Sequence, residues 1–176
     1  MTSLWSDFQG TIVEQELLAA HTTFAIGGPA RWFARPDSVD QLGRLVRRCR
    51  EMDIPLLTLG LGANLLVSDE GINAMVVRLS DPGFCRTDWP NDQPALPPLT
   101  DGPIIITTGG GTNMFRLVPQ SVRYGLAGLE GLAGIPGTIG GCLRMNAGGR
   151  WGEIADRVLE LTVINEAGEI EVLTAK

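Results

Sequence analysis

Apolar positions along this chain recur with two different periods, and the changes between them mark its elements. Val39, Leu42, Leu45, Val46 and Cys49 fall at helical spacing and define one buried stripe. Pro36-Asp37 breaks the segment before them, Ser38 can cap, and Gln41 lies three residues on, as in a capping box. Arg44, Arg47, Arg48 and Arg50 lie mostly off the stripe, which makes them a solvated face. A second helix is expected from Thr112 or Asn113 to about Tyr124, and a short one around Ile12 to Ala20. Short apolar runs predict strands at Ala30–Ala34, Pro55–Leu59, Ala74–Leu79 and Pro103–Thr108. Period-2 alternation in Val158–Ile164 and again in Glu169–Leu173, joined by Asn165-Glu166-Ala167-Gly168, predicts a β-hairpin.

These elements describe an α+β chain. Residues 1–20 are a lead-in, and 21–80 form a first lobe of βαβ type. Residues 81–102 form a polar, proline-rich surface connection, and 103–176 form a second lobe. No internal repeat interrupts this order.

Composition narrows the chemistry. Hydrophobic residues make up 44% and charged residues 19%, as expected for a packed globule. A net charge of −6 disfavours a nucleic-acid surface, but not an anionic small molecule held by backbone amides. Cys49, Cys85 and Cys142 show neither metal nor disulfide spacing, and core packing is the better role for Cys49 and Cys142. That usage fits a reduced, cytoplasmic protein. No stretch reaches the roughly 20 apolar residues of a membrane span, and the N-terminus lacks the pattern of a secretory signal.

The 23 glycines are about twice the usual share of roughly 7%, and they cluster. In Leu59-Gly60-Leu61-Gly62-Ala63-Asn64-Leu65-Leu66, two glycines permit a tight turn and keep Cβ atoms away from a ligand. Consecutive N–H groups can then converge on a phosphate, although a ligand-free turn would look similar. The segment Gly128 to Gly141 is more specific. Pro136 fixes one φ angle, Gly137 frees the next, Thr138 offers a hydroxyl, and Gly140-Gly141 lets the backbone pass close to a flat or bulky group. Further on, Asn146 supplies both donor and acceptor, and Arg144 is either a phosphate ligand or a surface charge. Neither a Rossmann nor a Walker pattern is present. His21, the single histidine, has no nucleophile nearby in sequence, which suits capping or packing better than catalysis.

Four stretches together resemble one enzyme family. Thr22-Thr23-Phe24-Ala25-Ile26-Gly27-Gly28-Pro29-Ala30, the loop Gly60 to Leu66, the segment Gly128 to Gly141, and Met145-Asn146-Ala147-Gly148 are similar, in that order, to UDP-N-acetylenolpyruvoylglucosamine reductases. The resemblance covers roughly residues 13–176. It implies an FAD-binding domain of the type shared with vanillyl-alcohol oxidase and p-cresol methylhydroxylase, built of two α+β subdomains with FAD between them. It implies that Gly60, Leu61, Gly62, Ala63, Asn64 and Leu65 wrap the pyrophosphate. Ala133, Gly134, Ile135, Pro136, Gly137 and Thr138 would contact the phosphates and flavin. Gly140, Gly141, Asn146, Ala147, Gly148 and Ile154 would line the same cleft, with no metal involved.

The implied reaction uses NADPH to reduce the flavin, which then reduces the enolpyruvyl group of a UDP-sugar to UDP-N-acetylmuramate for peptidoglycan. This sequence departs from the family at Ala63, where serine is usual, and in Gly149-Arg150-Trp151-Gly152, where the aromatic is displaced by one place. Family members also run on past the equivalent of Lys176, where their catalytic arginine, serine and glutamate lie, so this chain is expected to bind FAD but to be catalytically incomplete. Two alternatives stay open: another oxidoreductase of the same flavin superfamily, such as a small-alcohol oxidase, or a non-catalytic module with a vestigial nucleotide pocket.

Overall fold

A computed structural model describes residues 4–8, 12–90 and 102–175. The first strand, β1 (Ile12–Leu17), occupies the stretch expected to be helical, and a short 3-10 turn follows at Leu18–His21. Its sequence carries Ile12 and Val13 at one end and Leu17 at the other with Glu14-Gln15-Glu16 between, which fits neither period. Pairing decides the outcome: β1 runs antiparallel to β2 (Pro29–Ala34), with Val13 opposite Phe33. Trp5 and Phe8 of the lead-in are themselves buried, at 4% exposure each.

Helix α1 (Val39–Glu51) begins where its cap predicts, with the Ser38 hydroxyl accepting the Gln41 N–H at 3.3 Å. The Gln41 side chain accepts the Asp37 N–H at 2.9 Å, closing the entry from the other side. Leu45 and Cys49 are buried as expected, whereas Val39 is exposed, because the first residue of the helix projects before the stripe reaches the sheet. The arginine face is mostly solvated, but Arg48 reaches Asp7 at 2.7 Å and Arg47 donates to the Gly168 carbonyl at 2.7 Å.

After α1 come β3 (Leu56–Thr58) and β4 (Ile72–Val77). They complete a four-stranded sheet in the order β1-β2-β4-β3, with β2 and β3 both parallel to β4. The run Ala74 to Val77 is buried throughout, as expected of a central strand covered on both faces. Met75 and Val77 pack with Trp32, Leu45 and Cys49 on the α1 side. Val76 packs with Phe33, Leu59 and Leu18 on the opposite face. A register shift between Ala30 and Trp32 lets these two residues of β2 enter different cores, since a one-residue slip exchanges faces.

The connection that follows is described only at its ends, because residues 91–101 lie outside the described part. β5 (Thr87–Asp88) pairs antiparallel with β6 (Thr107–Thr108), and the longer strand expected from Pro103 shrinks to these two residues. Ile104 and Ile105 are exposed. Helix α2 (Met114–Arg123) is capped by Asn113, which accepts the Phe115 N–H at 2.9 Å.

The glycine-dense segment hides a further helix, α3 (Ile139–Arg144), capped by Thr138. Met114, Leu117, Val118, Leu132, Ile139, Cys142 and Ile154 form the second core. The tiny ladder β7 (Gly148–Gly149) and β8 (Gly152–Glu153) leads to the predicted hairpin, β9 (Glu160–Ile164) and β10 (Ile170–Thr174). Its turn docks on α1, where a Cβ on Gly43 would come within 2.9 Å of the Gly168 carbonyl. No helix among the described residues is long and apolar enough to cross a membrane.

Two consequences can be measured. Leu45→Ala removes a side chain that is 1% exposed in the first core and lowers unfolding free energy by about 2–5 kcal/mol in urea titrations. Burial pushes the Cys49 thiol from its ordinary 9.0 up to about 11. Because folding favours the protonated thiol, this stabilisation is complete below pH 9.0 and is lost as pH rises toward about 11. At pH 8 native Cys49 therefore resists iodoacetamide, while the urea-unfolded chain is alkylated there.

Candidate functional site

The two lobes meet where their glycine turns touch. An ideal Cβ on Gly60 would lie 2.6 Å from the Thr138 hydroxyl, so only glycine allows this approach. Gly60 follows the end of β3, where the Leu59 N–H bonds the Val77 carbonyl at 2.8 Å. Beyond it, among the described residues, the peptide N–H groups from Gly60 to Val67 donate no hydrogen bond of ordinary length and angle. Gly60, Leu61 and Ala63 are partly exposed, Gly62 is buried, and Asn64 and Leu65 are exposed. The loop therefore keeps its shape without using its own donors.

What shapes it is the preceding segment. Gly62 has φ +64°, and a Cβ there would overlap the His21 carbonyl oxygen. The Thr23 N–H donates to the Gly62 carbonyl at 3.0 Å, and the Gly28 N–H donates to the Ser68 carbonyl at 2.8 Å. Thr22 is buried, with its hydroxyl on the Ile26 carbonyl at 2.8 Å. Thr22–Gly28, which carries much of the family resemblance, thus serves as the scaffold of the Gly60 loop. Nothing in its sequence marks this segment as part of the site, since a scaffold acting through backbone atoms shows no side-chain chemistry.

On the other lobe, Ala133, Gly134 and Pro136 are exposed, Ile135 packs against the second core, and Gly137 and Thr138 are buried. The Ala133 and Ile135 N–H groups close the turn onto Glu130 and Leu132. Those of Gly134, Gly137 and Thr138 donate to no described residue. Glu130, whose backbone carbonyl accepts the Ala133 N–H, is structural. Its own backbone N–H and that of Gly128, the latter bonded at 2.6 Å, hold its carboxyl below the usual range.

Gly140 and Gly141 differ in role. The Gly140 N–H is committed to the Gly110 carbonyl at 2.7 Å, while exposed Gly141 donates to the Thr138 hydroxyl at 3.2 Å. The Gly109–Gly111 turn, left without a role by the sequence, is thereby part of the seam. Cβ atoms on Gly109 and Gly111 would overlap the Phe84 and Leu79 carbonyls.

Asn146 lies one short helix beyond Thr138, about 9 Å of helical rise. It holds φ +44°, and its Oδ1 accepts the Ala155 N–H at 3.3 Å, which leaves the Nδ2 donors free to face a ligand. The Ala147 N–H bonds the Cys142 carbonyl, and Gly148 is exposed in the β7–β8 ladder. The Ile154 side chain is buried in the second core and its N–H bonds the Ala147 carbonyl, so both are committed within the lobe. Beside the Gly60 loop lies an apolar cavity of about 290 Å³, lined by Leu18, Leu57, Leu59, Leu65, Val67 and Ile72 among others.

The α+β fold of this chain is one that VAO-type flavoproteins share. The chain belongs to the family described as FAD binding domain, whose family model matches residues 30–174. It is 41% identical over 170 residues to a UDP-N-acetylenolpyruvoylglucosamine reductase of Heliobacterium modesticaldum, covering 97% of this chain and 50% of that protein. Its fold superimposes on the crystal structure of a UDP-N-acetylenolpyruvylglucosamine reductase from Thermus caldophilus with a TM-score of 0.72 at 34% identity, covering 93% of this chain and 52% of that one. A VAO-type flavoprotein from Myceliophthora thermophila shares the fold at a TM-score of 0.59 and 16% identity, over 83% of this chain and 26% of that one. The chain spans about half the length of the curated relatives it matches.

The seam separates two kinds of glycine. Gly62→Ala meets both a positive φ and the His21 carbonyl, and costs more than about 2 kcal/mol of stability. Gly134→Ala has φ +81° but nothing within 4 Å of the new Cβ, and costs only about 1 kcal/mol. Urea unfolding of the two variants side by side measures the difference.

Proposed function

We propose that this chain is the FAD-binding half of a UDP-N-acetylenolpyruvoylglucosamine reductase. The observation that carries the reading is the seam itself: Gly60 sits against Thr138, with uncommitted N–H groups on both sides. The reductase assignment draws on relatives at 34–41% identity along nearly the whole chain. The residues present fit FAD, because a pyrophosphate needs converging donors and no side chain in the way.

In this reading the N–H groups of Gly60, Leu61, Gly62, Ala63, Asn64 and Leu65 hold the pyrophosphate. Ala133 to Thr138 border the flavin, and Gly141, Asn146 Nδ2, Ala147 and Gly148 close the same side. The apolar cavity beside Leu65 and Val67 offers room for a nucleotide ring. The chemistry FAD supplies when bound is hydride transfer, from NADPH to the enolpyruvyl double bond of a UDP-sugar in peptidoglycan synthesis. The described residues bind and orient the cofactor. The UDP-sugar and the protonation step belong to the other half of the enzyme, in a cytoplasmic setting.

Titrating FAD into the purified chain is expected to shift the flavin absorbance bands and quench flavin fluorescence. Gly60→Val, which drives a branched side chain into Thr138, weakens that binding about tenfold or more. The chain alone is expected not to reduce the enolpyruvyl UDP-sugar with NADPH. Absence of any FAD signal at saturating cofactor would overturn the assignment, and turnover by this chain alone would overturn the division of labour.

A further inference from the structure

The single histidine has two bonded partners. The His21 side chain is 8% exposed and stacks on Phe33, with ring centroids 4.5 Å apart and planes 18° from parallel. Its Nε2 lies 2.8 Å from Oε1 of Glu16, and its Nδ1 lies 2.8 Å from Nη1 of Arg78. A guanidinium can only donate. Nδ1 therefore accepts from Arg78, and Nε2 carries the hydrogen that Glu16 receives. Glu16 is further held by Arg35 at 3.4 Å. One tautomer and one ring orientation satisfy the whole chain of contacts, which ties β1, β2 and the end of β4 together.

The backbone of the same residue lies under the ligand loop. Gly62 rests against the His21 carbonyl oxygen, and its would-be Cβ comes within 2.7 Å of Thr22 Cα. The Thr23 N–H holds the Gly62 carbonyl at 3.0 Å. Arg78, the other end of the chain, follows Val77, whose carbonyl fixes Leu59 immediately before Gly60. The ring is thus linked to both ends of the Leu59–Gly62 turn, to one through its own backbone and to the other through Arg78.

We propose that Glu16, His21 and Arg78 form a positioning device that holds the Gly60–Val67 loop in its ligand-ready shape, with His21 the residue on which the other two converge. The proposal rests on the FAD reading of that loop. His21 touches no cofactor; it acts through Thr22, Thr23 and Gly62, and through the orientation of Arg78.

His21→Gln and His21→Leu separate hydrogen bonding from packing. A glutamine amide can accept from Arg78 and donate to Glu16, whereas leucine fills the space against Phe33 and does neither. Two readouts are taken on the full chain: the FAD dissociation constant by flavin fluorescence, and the hydrogen exchange rate of the Thr23 amide without FAD. His21→Leu is expected to weaken FAD binding and to speed Thr23 exchange, each by about tenfold or more, while His21→Gln stays within about threefold of the parent in both. If His21→Leu fails to fold, Arg78→Met carries the same two readouts with the ring left in place. Parental FAD binding and Thr23 exchange in His21→Leu or Arg78→Met would overturn the proposal, as would a His21→Gln variant impaired as badly as His21→Leu. A parent chain that binds no FAD would remove the ligand and refute the FAD reading, while Thr23 exchange would still decide whether the relay holds the loop.

Discussion

The approach of Gly60 to the Thr138 hydroxyl is the constraint around which this chain is arranged. It brings two runs of peptide nitrogen, from lobes with separate cores, to a common edge. A net charge of −6 does not oppose such a site strongly. At about 0.1 M salt the Debye length is about 10 Å, so distant carboxylates are screened. Each hydrogen bond to an ionised oxygen, by contrast, contributes about 1.5–3 kcal/mol at contact. Short-range donors therefore outweigh the long-range field, and an acidic protein can hold an anion without a cationic side chain in the loop.

Much of that seam is legible in the sequence because a forbidden Cβ leaves a compositional mark. Gly60, Gly62 and Gly137 stand out for the same reason that they matter: each sits where a side chain would strike Thr138, His21 or Cys142. Helix α1 is legible through Ser38 and the Leu42–Cys49 stripe, which act locally. β1 is not, because Glu14-Gln15-Glu16 has no alternation to read and its conformation comes from pairing with β2. Helix α3 is masked by Gly140 and Gly141, each costing about 1 kcal/mol relative to alanine in a helix. The Thr138 cap and the burial of Ile139 and Cys142 offset that cost, and a Cβ on Gly140 would come within 3.1 Å of the Gly110 carbonyl.

What sequence could not reveal is which polar groups are already in use. Asn146 offers donors and acceptors on paper, yet its oxygen holds the Ala155 N–H. Gly140 lies among the glycines expected at the site, yet its N–H is taken by the Gly110 carbonyl of the same lobe. Ile154 lies in the right stretch, yet its side chain and N–H are internal. Residue type sets what a group can do, and only the fold shows which of those capacities a neighbour has taken.

A loop shaped by main-chain contacts and offering main-chain donors limits how far likeness can be read. Apart from the positions where a Cβ is excluded, side chains around such a loop are free to change while the amides keep their geometry. A VAO-type flavoprotein can therefore share this fold at 16% identity without implying any common substrate. Specificity has to come from groups that the loop does not supply. In this chain the partly buried side chains of His21, Glu16 and Arg78, beneath the loop, bond one another and so add shape to the loop rather than chemistry to its exposed side.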